Sequence, residues 1–454
     1  MPELAELLPA ALRDDEPRVV REAARAIGKL ELPEAEALEP ALLEVADQAA
    51  PPERRAAVEA LGRSGGALTQ QRLARRPDDD DDLRRRIAEA TTLVRRRHGR
   101  EHEAAIRLDR ALPRPLELRL RGRGGTAEIL AQQAAARLSI DADQIQRRGD
   151  DAVLVPWSGP LGEALAARSA LDLALGLPLP PGSELVDRIV AGLRAPALVE
   201  ALAAWTDGPL RFRLAFADGG HRRSLRWQVA VRLAERPSPL VNDTREVAWT
   251  IEVDERAGRL WCLPRGADPR FEYRRADVPA ASHPTMAALL AWLGRPRAGE
   301  VVWDPFCGSG LELVEASILA PGLHLLGTDL DPRALEIART NLAAAPIEPA
   351  SLELHRIDAR RFDPARLGRR VSLILTNPPM GRRVVVEHGL HRLLVDLVGH
   401  AARVLAPGGR LVWLSPAARA TAEAGRARGL RVEELPVVDM GGLRVTPQLL
   451  HRPR

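Results

Sequence analysis

The sequence predicts a multi-domain protein. An N-terminal α-solenoid covers residues 1–100, an α+β middle falls into two blocks, 105–182 and 183–280, and a doubly wound α/β domain covers 281–454. Three observations carry this reading. An alanine-rich segment repeats in the first hundred residues, the hydrophobic period changes from helical to strand-like near Leu116, and from Val301 apolar strands alternate with helices around a glycine-rich turn. A chain of 454 residues is too long for one core.

The repeat comes first. Arg21-Glu22-Ala23-Ala24-Arg25-Ala26-Ile27-Gly28 recurs as Arg55-Ala56-Ala57-Val58-Glu59-Ala60-Leu61-Gly62, with an echo at Arg86-Ile87-Ala88-Glu89-Ala90. Each copy has helical apolar spacing, and Asp14-Asp15-Glu16-Pro17 and Pro51-Pro52-Glu53 open two of the helices with acids and proline. Two helices per unit at this spacing resemble HEAT repeats, which implies a short solenoid packed on the chain or on a protein partner. Asp78–Asp82 reads as a solvated helix start, and Arg95–Arg100 as a helix end and linker.

In the middle, Leu116–Leu120 alternates like a strand, Thr126–Leu138 reads as a helix, Asp151–Val155 as a strand and Leu161–Leu177 as a helix, up to the proline-rich linker 177–182. Ser183–Trp205 is mostly helical. Arg211–Phe216 alternates arginine with apolar residues, Arg222–Glu235 is a helix bearing Arg222, Arg223, Arg226 and Arg232, and Trp249–Val253 turns back into Arg259–Leu263 as a hairpin. The strand, the arginine-bearing helix and the hairpin resemble a THUMP domain, and the preceding block resembles the ferredoxin-like domain that accompanies it. The resemblance implies RNA binding, with arginines gripping phosphates.

Composition adds exclusions rather than a function. The net charge is +4 and the isoelectric point about 9.8. The cations are arginine, with Lys29 the exception, in the Ala/Leu/Arg/Gly/Pro-rich composition of a GC-rich genome, so global charge is not read as a nucleic-acid signal. The two cysteines, Cys262 and Cys307, form no zinc spacing or disulfide framework and are expected to be reduced packing residues. No apolar run reaches the roughly 18 residues of a membrane span, and the N-terminus lacks a signal peptide's pattern, so a soluble, cytoplasmic protein without metal or membrane partner is expected.

The chemistry lies in the last block. Strand Val301–Trp303 runs into Asp304-Pro305-Phe306-Cys307-Gly308-Ser309-Gly310 and a helix over Leu311–Leu319. Glycines here let the backbone approach a ligand. A second strand, Leu323–Thr328, ends in Asp329, placed to accept hydrogen bonds from ribose hydroxyls. Leu313 stands where a dinucleotide fold has its third glycine, which favours S-adenosylmethionine over NAD. Asp358 follows the third strand, where it can cap a helix, and His324 reads as structural. The fourth strand, Val371–Thr376, ends in Asn377-Pro378-Pro379-Met380-Gly381-Arg382-Arg383. An exocyclic amino group is a poor nucleophile because its lone pair is delocalised. The Asn377 side-chain oxygen and the Pro378 carbonyl can each accept one of its hydrogens, and the prolines aim that carbonyl.

These strings resemble the Rossmann-like methyltransferase domain of THUMP-class RNA (guanine-N2) methyltransferases, and with the two blocks before it the resemblance covers about residues 105–454. The resemblance implies S-adenosylmethionine as co-substrate, held by Pro284, Thr285, Asp304, Phe306, Cys307, Gly308, Ser309, Gly310, Asp329, Asp358 and Asn377. It implies Asn377, Pro378, Pro379 and Met380 as catalytic residues. Arg382 and Arg383 are expected to bind substrate. Met380 departs from the family, which has an aromatic residue there to stack on the base. The segment 282–287 resembles the one that covers the cofactor, with His283 a substrate contact or a helix start, and 438–443 reads as a terminal hairpin near the substrate. The expected product is N2-methylguanosine in tRNA. A 23S rRNA guanine-N2 methyltransferase, a protein-glutamine N5-methyltransferase and a non-catalytic RNA-binding protein remain as alternatives.

Overall fold

Alanine and glycine set the spacing of the N-terminal helices in the computed structural model, which describes residues 2–30, 32–73, 80–245, 247–266, 268–279, 281, 283–380 and 389–454. A side chain at Gly28 would lie 3.2 Å from the Ala60 Cα, and one at Gly62 would lie 2.9 Å from the Ala90 Cα. The glycine of each copy therefore sits on an alanine of the next. Arg21 of the first copy pairs with Glu53 at 2.5 Å, and Arg55 of the second with Asp80 and Asp82 at 3.2 and 3.1 Å, so the polar contacts repeat with the packing. Helices Pro17–Ile27, Pro51–Ser64 and Asp81–Arg100 carry these contacts. Asp80 caps the last by accepting from Asp82 and Leu83; Asp78 and Asp79 lie outside the described residues.

The chain divides into two compact units. The first is Met1–Leu118, Trp157–Glu163 and Ala174–Gly266; the second is Arg119–Pro156, Ala164–Leu173 and Ala267–Arg454. In the first unit, Arg95–Arg100 is the expected helix end but not a linker. The helix runs through Arg100. Arg96 donates to the Asn242 carbonyl at 2.6 Å, and Arg100 forms a two-point pair with Asp243 at 2.6 and 2.7 Å. Asp243 is fully buried, so this is a folded contact.

Leu161–Leu177 is likewise not one helix. A four-residue helix, Leu161–Ala164, is followed by a strand, Asp172–Pro178. Leucines alternate at 173, 175 and 177 with the small Ala174 and Gly176 between them, which is strand period rather than helix period. Gly176 is required there because a Cβ would meet the Trp261 ring at 2.5 Å. This strand pairs antiparallel with Arg259–Pro264, which pairs with Trp249–Asp254, and the parallel strands Leu210–Phe216 and Leu240–Asn242 follow. The arginine-bearing helix, Arg223–Ala234, is present, but several arginines are engaged within the unit. Arg211 is 2% exposed and donates to the His102 carbonyl. Arg222 binds Asp218 and Glu255, and Arg232 pairs with Asp187.

The second unit holds the doubly wound sheet. Its strands are β1 (Val301–Asp304), β2 (His324–Asp329), β3 (Ser351–Arg356), β4 (Val371–Thr376), β5 (Leu405–Ser415), β6 (Arg431–Glu434), β7 (Val438–Asp439) and β8 (Arg444–His451). The order is β3-β2-β1-β4-β5-β8-β6, with β7 on β8. The first five are parallel, and β8 is antiparallel to β5. Helices α1 (Pro284–Gly294) and α2 (Leu311–Leu319) pack with α3 (Pro332–Ala344) on one face; α4 (Leu390–Val404) and α5 (Ala418–Arg426) belong to the other. Both faces are thus covered, and every residue of β1 is buried, as its unbroken apolar run requires. Trp303 and Trp413, both fully buried, fill the second layer. No described helix is long and apolar enough to cross a membrane.

Candidate active site

The order of strands reverses between β1 and β4, and ligands of open α/β sheets bind outside the carboxyl ends of strands at that point. A cavity of about 1120 Å³ opens there, walled entirely by the second unit. Thr376, the last residue of β4, donates to the Asp304 carboxylate at the end of β1 at 2.6 Å, fixing the two strand ends to each other. Asn377, Pro378, Pro379 and Met380 leave β4 directly onto the cavity wall. Gly381, Arg382 and Arg383 lie outside the described residues.

The glycine loop forms the opposite wall. Phe306, Cys307, Gly308 and Ser309 line the cavity. Gly310 does not; it adopts φ +78° at the start of α2 and packs on Ala338, where a Cβ would come within 3.2 Å. Asn341, fully buried on α3, holds this loop. It donates to the Ser309 and Ala276 carbonyls, each at 2.9 Å, and accepts from the Arg275 and Ala276 amides at 2.9 and 3.1 Å. All its polar capacity is used, and the segment carrying Val278 and Pro279 is thereby pinned over the cavity. Nothing in the spacing of the sequence singled out Asn341.

Asp329, at the end of β2, lines the cavity and accepts one backbone amide on each oxygen, from Gly308 at 3.0 Å and Asp331 at 2.9 Å. Each oxygen keeps a lone pair for a hydroxyl donor. Leu330 beside it is 65% exposed on the same wall, an apolar surface with no protein covering it. Asp358 is both a cavity residue and a cap: it accepts from the Arg360 amide at 2.9 Å and from its guanidinium at 2.7 Å. That guanidinium holds its carboxyl below the usual range. His324 bonds Ser351 at 3.0 Å, consistent with a structural role. His283 lines the cavity and caps α1 through Thr285; burial and the neighbouring Arg123, Arg274 and Arg270 lower its pKa. Pro284 and Thr285 are buried in the first turn of α1 and do not reach the cavity wall. Both cysteines are buried and free.

Two buried carboxyls lie at this end of the sheet; Glu312 lines the cavity, whereas Asp304, expected to hold the cofactor, is not among the lining residues. Asp304 is fully buried, and its Oδ2 has no hydrogen-bond partner. Glu312, in the first turn of α2, is 6% exposed, lines the cavity, and has a buried Oε1 with no partner. Burial pushes Glu312 up to about 7, and burial together with Glu312 raises Asp304 well above the carboxylate range. Unsatisfied buried oxygens are costly and call for a donor, best a cationic one. S-adenosylmethionine carries an ammonium and a sulfonium, so the residues present fit it. Asp329 would take the ribose hydroxyls, Leu330, Phe306 and Ile357 the adenine faces, and Glu312 the cationic methionine end. Glu312 was not among the residues singled out by motif. Its signal is an acid inside the otherwise apolar register Leu311-Glu312-Leu313-Val314.

Comparisons with known proteins agree with this geometry. Residues 272–446 match the RMKL-like methyltransferase domain. The C-terminal domain is thus similar to S-adenosylmethionine-dependent methyltransferases. Residues 2–93 match HEAT repeats. The tRNA (guanine(6)-N2)-methyltransferase of Thermus thermophilus is 34% identical over 174 residues, 38% of this chain and 50% of that protein. The ribosomal protein L11 methyltransferase of Azotobacter vinelandii is 35% identical over 34% of this chain and 49% of that protein. The chain thus spans about half the length of these relatives. The crystal structure of TrmN from Thermus thermophilus aligns with a TM-score of 0.57 at 25% identity, covering 74% of this chain and 99% of that one.

Proposed function

We propose that the protein is an S-adenosylmethionine-dependent RNA methyltransferase that forms N2-methylguanosine in tRNA. The observation that carries this is the placement of Asn377-Pro378-Pro379 at the end of β4, on the wall of the cavity that fits the cofactor. The tRNA guanine-N2 activity named for the Thermus relative supports the choice of base and RNA.

Bound S-adenosylmethionine supplies an electrophilic methyl on sulfur. The chain's own residues do the rest by positioning. The Asn377 side-chain oxygen and the Pro378 carbonyl accept the two amino hydrogens of guanine, which fixes the nitrogen and favours pyramidal geometry. The nitrogen lone pair held there would take the methyl as its bond to sulfur breaks with the electron pair left on sulfur, and the surplus amino proton would leave to water. No general base is needed before transfer, because the neutral amino nitrogen itself attacks and loses its proton afterwards. Met380, with Met440 and Leu443 on the same wall, offers the base an apolar surface in place of an aromatic ring.

The L11 methyltransferase relative favours a second reading, methylation of a protein amino or amide nitrogen. Incubating the protein with radiolabelled S-adenosylmethionine and separate RNA and ribosomal-protein pools decides between them. Label in RNA supports the first reading, and label in protein alone rejects it. The helical repeats are proposed to contact a protein partner.

A further inference from the structure

Arg123 reaches the catalytic cavity from a part of the chain far from the methyltransferase motifs. It sits in Gly122-Arg123-Gly124-Gly125, between a strand ending at Arg121 and the helix Ala127–Leu138. The backbone of this loop is docked on the hairpin segment 437–439. Gly124 accepts from the Asp439 amide at 3.0 Å, and a Cβ at Gly125, which has φ +87°, would fall 2.0 Å from the Val437 carbonyl oxygen. Thr126 closes the turn by donating its amide and hydroxyl to the Arg123 carbonyl at 3.0 and 2.7 Å. A close approach that only glycine permits thus holds the arginine's backbone in place.

The side chain is not engaged in the same way. Arg123 lines the cavity with Asn377 and Met380, and its Nε is buried without a hydrogen-bond partner. The other cavity arginines have acids: Arg274 pairs with Asp277, Arg360 with Asp358 and Arg392 with Asp396. Among the described residues Arg123 has no ion pair. Asp439 is near enough to feel its charge, but that carboxylate accepts the Gly441 and Gly442 amides at 2.8 and 2.7 Å through Oδ1. A held guanidinium with unused donors, on the wall where the amino group is presented, matches a bidentate oxyanion.

We propose that Arg123 is a substrate-binding residue that takes a backbone phosphate next to the nucleotide whose amino group lies at Asn377. This deepens the RNA reading and rests on it. It also assigns a substrate role to the loop 122–125, outside the methyltransferase motifs.

The test compares wild type, Arg123→Ala and Arg123→Lys by binding to a labelled tRNA pool across a salt series, with calorimetry of S-adenosylmethionine as the second readout. For Arg123→Ala the expected result is about tenfold to hundredfold weaker tRNA binding and a salt slope shallower by about one. Cofactor affinity should stay within about twofold, and Arg123→Lys should recover part of the tRNA affinity. Unchanged tRNA affinity and slope in Arg123→Ala would overturn the assignment while leaving the RNA reading intact. Equal loss of cofactor and tRNA binding in both variants would also overturn it, since the loop would then be structural. A wild type that binds no RNA and labels only protein would instead remove the RNA reading itself.

Discussion

The Thr376 hydroxyl donates to the Asp304 carboxylate at 2.6 Å, and both residues are fully buried. The bond joins the strand that presents the cofactor loop to the strand that presents Asn377. It is also the side-chain hydrogen bond of an acid whose other oxygen is unsatisfied. Replacing Thr376 with Val keeps the shape and removes the donor. The expected cost is about 1–3 kcal/mol of stability, with weaker cofactor binding, read by thermal unfolding and calorimetry. A Thr376→Val protein with wild-type melting and affinity would show that the contact positions nothing.

Glu312 gives the site a pH dependence with a definite sign. In the folded apoprotein its carboxyl is pushed up to about 7 from an ordinary 4.5 by burial. The folded state therefore binds the proton more tightly than the unfolded chain. Its contribution to apoprotein stability is greatest below 4.5 and declines as pH rises through 7, by at most about 1.4 kcal/mol per unit. Cofactor binding runs the other way, because a cation is favoured by the ionised acid. Affinity should rise between pH 6 and 8, and Glu312→Gln should flatten the rise. Calorimetry at three pH values measures it, and a Gln variant that keeps the wild-type slope removes Glu312 from cofactor binding.

Asn341 should be among the costliest substitutions outside the motifs. Its side chain satisfies four main-chain groups in the Ser309 and Arg275–Ala276 segments. Asn341→Ala leaves them without partners, for an expected loss of about 2–4 kcal/mol, together with a weaker hold on the cofactor as the Val278–Pro279 wall loosens. Urea unfolding checks the first part. A loss below about 0.5 kcal/mol would mean the segment is held by other contacts.

Much of this was legible beforehand where one local rule governs. The helix Leu311–Leu319 and the strand Val371–Thr376 appear at the expected residues because an apolar run bounded by a glycine turn or a proline leaves little choice. Asn377, Asp329 and the glycine loop were found through motif chemistry and meet on one cavity. The misreadings occur where packing overrides local appearance. Arg95–Arg100 looked like a charged linker because its acceptors, Ser238, Asn242 and Asp243, lie more than a hundred residues away. Leu161–Leu177 looked helical because alanine and leucine suit either state, and only the small residues at 174 and 176 disclose the strand. Glu312 and Asn341 escaped because a single polar residue in an apolar helix has no pattern of its own.

Asn377 is the residue proposed to carry the chemistry, and its removal should separate transfer from binding. Asn377→Ala should lower turnover by at least about a hundredfold, since a donor or acceptor aimed at the reacting group contributes on that order. S-adenosylmethionine affinity should change little, because Glu312 and Asp329 remain on the cavity wall. Single-turnover transfer and calorimetry on one preparation provide both numbers. Full turnover in Asn377→Ala would take the residue out of the mechanism.

The most direct measurement is a nucleoside digest of tRNA labelled by the wild-type protein with radioactive S-adenosylmethionine. The prediction is a single labelled product, N2-methylguanosine, absent when Asn377→Ala replaces the wild type. Label on another nucleoside, or on protein with none in tRNA, would contradict it.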